Sequence, residues 1–219
     1  MTRKSRYASS KGSKDLSDNS NQLKLWIANE AARIYVSEKT GDIYQAKLKA
    51  AQRLGIDEMH GLPSNDDVEL AIKSYQALFN SSLETQSIQA LQQQAITAMH
   101  FFAPFKPRLV GSLVNGTATS HSTLYLHLFA DHAEAVDWFL IENKLPHEAF
   151  NKIYYLNNQK KAQHIPAYRF IAQDTPIELA VFPEVCLRQP VRCSPKGSAI
   201  VRESLARFQE RIGRGLISS

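Results

Sequence analysis

The run Gly111-Ser112-Leu113-Val114-Asn115-Gly116 puts two glycines and a hydroxyl where a chain could hold a phosphate. Glycine at 111 would let the backbone approach an anionic ligand with no Cβ in the way. The Ser112 hydroxyl can donate to a phosphate oxygen, and successive N–H groups in such a turn make an anion-binding concavity. Gly116 would let a following helix sit close. Ser122 stands at the start of the next apolar run, where a turn or cap role suits it equally. Beyond it Leu124, Leu126 and Leu128 alternate with Tyr125, His127 and Phe129, so a period of two places Thr123, Tyr125 and His127 on one strand face. Glu178 lies in a second alternating run, Pro176 to Phe182. Arg108, Arg188, Arg192, Lys196 and Arg202 are cations that could meet a phosphate, although charged loop residues are commonly just solvated.

The metal chemistry open to these residues is narrow. Magnesium prefers hard anionic oxygen, which neither Thr123 nor Tyr125 supplies. His127 and Glu178, with His121 across a turn, make a His/His/carboxylate alternative. A hydrogen-bonded histidine on a sheet surface explains His127 as simply. Cys186 and Cys193 have neither zinc nor redox spacing and are expected to be reduced thiols of a cytoplasmic protein.

The elements that must position these residues change character near Pro104–Pro107. Before it, apolar residues recur at helical spacing. Four helices are predicted: around Trp26 to Tyr35, with Gly41 after its end; Ile43 to Leu54, stopped by Gly55; one capped by Ser64 with Asp67 three residues on and carrying Val68, Ile72, Tyr75, Leu78 and Phe79; and one from Ser82 to Phe102. After it, strands are expected over Arg108–Ser112, Thr123–Phe129, Ile153–Leu156, Ala167–Ala172 and Pro176–Phe182. A helix capped by Asp131 is expected to run to Asn143, and a last one to open at Ser198. Lys160-Lys161 reads as a hairpin tip, and Trp26 and Trp138 as core. The fold class that follows is α+β, with a helical region over 21–103 and a mixed-sheet domain over 104–219.

Composition limits the partners. The net charge of +5 divides into +3 within residues 1–20 and +2 in the rest. That basic stretch, with Ser9, Ser10, Gly12 and Ser13, is expected to be a disordered tail giving at most weak, salt-sensitive contact with nucleic acid. The helices show no Arg/Lys-rich recognition face. No apolar run is long enough to span a bilayer, and no apolar core follows the N-terminal basic residues as a secretory signal requires. A membrane partner is therefore not expected.

From Arg108 to Phe182 the chain resembles the nucleotidyltransferase (DNA polymerase beta-like) superfamily. The shared pattern is Gly-Ser, a second Gly four residues after the Ser, then Ser and Leu framing the next strand. The whole chain also resembles proteobacterial proteins loosely described as nucleotidyltransferases, through its helical first half and the Pro107–Gly111 and Leu126–Asp131 segments. The resemblance implies a mixed sheet and a nucleoside triphosphate ligand. It also implies two aspartates on one strand face plus a third carboxylate, together holding two Mg2+ ions. Here Thr123 and Tyr125 stand at the aspartate positions, and Glu178 matches the third. The expected function is a degenerate member that binds a nucleotide or another phosphorylated ligand through Gly111, Ser112, Gly116, Ser122 and Arg108, with little or no transfer. Thr123, Tyr125 and His127 would line the cleft. Two alternatives stay open. One is an active enzyme with an altered metal site built on Glu178, His127 and Asp131, using Mg2+. The other is a noncatalytic module that binds a protein or nucleic acid.

Overall fold

The computed structural model describes residues 11–38, 42–56, 61–79, 82–156, 161–195 and 198–214. Gly41, Lys160 and Lys196 lie outside them, as do residues 1–10 of the expected tail. The fold is α+β: seven α-helices and one six-stranded mixed sheet among the described residues. The chain divides into two compact units, 1–75 and 76–219. The boundary is thus earlier than the change in texture near Pro104, because the fourth helix belongs with the sheet.

The first unit holds α1 (Lys11–Ser37), α2 (Ile43–Leu54) and most of α3 (Asn65–Phe79). Helix α1 begins at Lys11, so it takes in half of the stretch expected to be a disordered tail. Ile27, Ala31, Ile34 and Tyr35 of α1 pack with Ala46, Ala50 and Ala51 of α2 and Val68 and Ile72 of α3. Gly55 ends α2 in the left-handed region, where its N–H reaches the carbonyls of Ala51 and Gln52. Ser64 and Asp67 close a reciprocal capping box: Ser64 N–H donates to Asp67 at 3.0 Å and Asp67 N–H to Ser64 Oγ at 3.1 Å. Trp26 is 52% exposed, so it is not core.

The second unit holds α4 (Ser82–Phe101), β1 (Arg108–Val110), α5 (Ser112–Asn115), β2 (Leu124–Phe129), α6 (Glu134–Glu142), β3 (Glu148–Leu156), β4 (Ala162–Ala172), β5 (Thr175–Phe182), β6 (Val191–Arg192) and α7 (Leu205–Gly213). The sheet order is β1-β2-β5-β4-β3-β6, with β2 and β5 parallel and every other pair antiparallel. Gln173 and Asp174, both at positive φ, make the tight turn between β4 and β5. One sheet face carries Leu109, Leu124, Leu126, Leu128, Ile177, Leu179 and Val181 against α4, α6 and α7. The other carries Phe129, Tyr154, Ile165, Ala180 and Phe182 against Cys186, Leu187, Val191 and Ile200.

Several expectations change here. Helix α6 starts at Glu134 with no side-chain cap, and the Asp131 carboxylate instead accepts from Glu184 N–H at 3.3 Å. The last helix opens at Ser204, not Ser198, because the chain before it pairs with β1: Leu109 and Glu203 exchange two 2.9 Å backbone hydrogen bonds. Strands β3 and β4 begin five residues earlier than expected, at Glu148 and Ala162. Trp138 is 68% exposed on the outer side of α6.

Candidate functional site

Strand β1 runs into Gly111, whose φ of 81° and ψ of −151° only glycine adopts readily; α5 follows at once and ends at Gly116 in the left-handed region. The helix therefore lies between the two glycines rather than after the second. Arg211 of α7 holds it, donating to the carbonyls of Leu113 and Val114 while its other bonds go to buried Glu203. The space above Gly111 is filled. A Cβ there would stand 3.0 Å from Cδ2 of Tyr125, so the glycine admits the tyrosine ring rather than leaving an open cradle. Ser112 is half-buried at the first position of α5. Ser122 is buried, and its Oγ accepts from Thr119 N–H at 2.9 Å, which is the turn role. Arg108 donates to the neighbouring Pro107 carbonyl.

Register sets out the row that matters. Val110, Tyr125, Glu178, Arg169 and Glu148 are successive partners across β1, β2, β5, β4 and β3, so they share a face. Tyr125 and Glu178 are thus neighbours in this row. They are joined by Lys152 of β3, a residue to which no sequence motif points. Its ammonium pairs with Glu178 Oε1 and lies 4.8 Å from the centre of the Tyr125 ring. The next position along, Arg169, donates to Glu148 instead. A two-metal site needs several carboxylates free of protein cations. Here there are two, Glu178 and Glu148, and Lys152 and Arg169 hold them. The residues present do not fit a pair of magnesium ions. Among the described residues, no three His, Cys, Asp or Glu side chains are grouped to hold a metal.

His127 lies deeper on the same face and is 1% exposed. Its Nδ1 accepts from Arg202 Nε at 3.0 Å, so the ring proton sits on Nε2. Burial, then the charges of Arg202 and Lys152, push its pKa well below the ordinary histidine value. With its Nδ1 lone pair taken by a guanidinium and its proton on Nε2, the ring offers no free lone pair to a metal ion in this arrangement. Arg202 is itself fixed from two sides. Nη1 donates to the carbonyls of Cys186 at 2.9 Å and Gln189 at 3.1 Å, and the guanidinium carbon lies 5.2 and 5.1 Å from the Phe129 and Phe182 ring centres. His127 Nε2 and Arg202 Nη2 are buried without a protein partner among the described residues.

Beside Glu178 the surface opens into a cleft of about 730 Å3. Thr123, Glu178, Arg169 and Glu148 give it polar groups, and Phe170 and Ile177 an apolar wall. Volume and lining suit a small organic ligand. Of the residues expected to bind or line a site, Thr123 and Glu178 border this cleft. His147 also borders it. Its Nδ1 lies 2.8 Å from the Leu145 carbonyl and its Nε2 2.7 Å from Asp137 Oδ1. The Leu145 hydrogen bond, then Asp137, raises its pKa against the opposing effect of burial, which favours the protonated ring.

Cys186 is buried and Cys193 exposed, both as free thiols. No described helix is long and apolar enough to cross a membrane. Compared with family models, curated proteins and solved structures, the chain matches none.

Proposed function

We propose that the second unit binds a nucleotide or another phosphorylated small molecule in the cleft beside Glu178, and does not transfer a nucleotidyl group. One observation carries this reading: the Lys152 ammonium sits against the carboxylate that a metal-dependent transferase would keep for its ions. A strand, a glycine turn, a short helix and a return strand lie beside that position, and with the nucleotidyltransferase resemblance they support the reading. The cleft adds a volume fit for a nucleoside-sized body, with Phe170 and Ile177 as an apolar wall. Arg169 lines it with positive charge, and the Lys152 ammonium adjoins it through Glu178.

A thermal-shift panel with each ribonucleoside triphosphate tests the reading, run with magnesium and again with chelator, alongside an assay of pyrophosphate release. Stabilisation that persists in chelator is expected. At about a hundredfold excess over Kd it amounts to ~2.7 kcal/mol. No pyrophosphate should appear. Magnesium-dependent release would restore the transferase reading with an altered metal site, and no stabilisation by any triphosphate would leave binding without support.

A further inference from the structure

We propose that Lys152, whose ammonium is paired with the cleft-lining Glu178, seats a phosphoryl oxygen at that border of the cleft without a divalent ion, and that Glu178 is its built-in counter-ion rather than a relic metal ligand. The inference rests on the phosphorylated-ligand reading above and assigns the groups that carry it.

Lys152 is placed for this by the sheet. In register it stands opposite Ile165, one row beyond the pair Phe150 and Ala167, while Glu178 stands in the row of Arg169 and Glu148. Between those rows lie Ala167 and Ala180, paired with each other, and their small side chains leave a path for the lysine stem. The tip then has two fixed neighbours, the Glu178 carboxylate and the face of the Tyr125 ring. Tyr125 is seated in turn by Gly111, which leaves no room for a Cβ beneath it. Gly111 and Tyr125 are therefore positioning residues for the ammonium. The pair is reachable: the Lys152 side chain is 33% exposed and Glu178 17%, and Glu178 borders the cleft.

An arriving phosphoryl group and Glu178 are then two anions competing for one ammonium. The sign of the Glu178 effect follows. At a metal site, loss of a carboxylate weakens the binding of a triphosphate, because the ion that bridges to it is lost. At this site, loss of the carboxylate charge frees Lys152 and removes a like charge from beside the ligand, so binding tightens. Lys152 has the opposite effect, because a charge-assisted hydrogen bond to phosphate is lost with it.

The test is titration calorimetry in chelator on the full chain, with inorganic triphosphate and a nucleoside triphosphate as probes. Unsubstituted protein, Glu178→Gln and Lys152→Met are compared. Glu178→Gln is expected to bind about tenfold more tightly and Lys152→Met about tenfold more weakly, each near 1.4 kcal/mol. Affinity in Glu178→Gln that is unchanged or reduced overturns the counter-ion assignment. Equal affinity in all three proteins removes Lys152 from the site while the phosphorylated-ligand reading stands. If none of the three binds either probe, that reading falls, and this inference with it.

Discussion

The two faces of the sheet in the second unit come from the same strands and are filled by different chemistry. On the helix-covered face, Leu124, Leu126 and Leu128 of β2 meet Ile177, Leu179 and Val181 of β5 beneath α4 and α6. On the other face the same two strands present Tyr125, His127 and Phe129 beside Glu178, Ala180 and Phe182. The covers differ in kind. Helices satisfy their own backbone groups, so what lies beneath them can be wholly apolar. The described chain over 184–195 and 198–200 is mostly irregular, and its carbonyls need donors when they are covered. Arg202 is that donor for Cys186 and Gln189. A buried guanidinium in turn needs an acceptor and a polarisable bed, which His127, Phe129 and Phe182 provide. The polar character of this face thus follows from its cover before any ligand is considered, and Lys152 and Glu178 extend it to the surface.

The comparison breaks most visibly where packing alone holds a face. Leu126→Ala empties a fully buried position between β2 and the helices. Chemical denaturation should show a loss of about 2–5 kcal/mol, as for other buried leucines. Binding in the cleft should stay intact wherever the protein remains folded, since Leu126 is not among the residues that line it.

On the polar face the corresponding change is Arg202→Met. It keeps apolar volume against Phe129 and Phe182 but strips the donor from two covered carbonyls and from His127 Nδ1. Acceptors left bare in this way typically cost about 1–3 kcal/mol. Losing the positive charge should also raise the pKa of His127, because Arg202 ranks after burial among the causes that lower it. Histidine titration by NMR reads that directly. A stability loss with no change in His127 would mean that the guanidinium acts on the loop alone.

The helix-covered face was legible in the sequence, because aliphatic alternation on β2 and β5 states which side is dry. The capping box at Ser64 and the stop at Gly55 were legible for the same local reason. The polar face was only half legible. Tyr125 and Glu178 stand in alternating runs, but Lys152 lies 26 residues from Glu178 and Arg202 lies 75 from His127. Both pairings depend on strand order, which a linear pattern does not carry. Ser198 resembled a helix cap as much as Ser204 does. What moved the helix start was the pairing of Glu203 with Leu109, again a long-range contact. A large ring on an amphipathic helix points to core by type, whereas Trp26 and Trp138 lie outside it.

The smallest expected effect is also the sharpest contrast, since two histidines should move stability with pH in opposite directions. His127, neutral under its loop, has a folded pKa depressed below the unfolded value of about 6.5. Below that value the unfolded chain binds a proton that the folded chain refuses, so His127 subtracts stability as pH falls from about 6.5. His147 is packed edge-on to Tyr168, which belongs to the helix-covered core. Its folded pKa is raised by the Leu145 carbonyl and Asp137. Its contribution is complete below about 6.5 and is lost as pH rises through the folded value. Denaturation midpoints measured from pH 5 to 9 should therefore change shape differently in two variants. His147→Gln should flatten the decline on the alkaline side and leave the acid side unchanged. His127→Asn should flatten the acid side, at a lower overall stability from the space left in the polar face. If the acid side is unaltered in His127→Asn while that protein still folds, His127 is protonated in the native state. The guanidinium of Arg202 would then have to find another acceptor, and the account of the polar face given by its cover would fail at its central hydrogen bond.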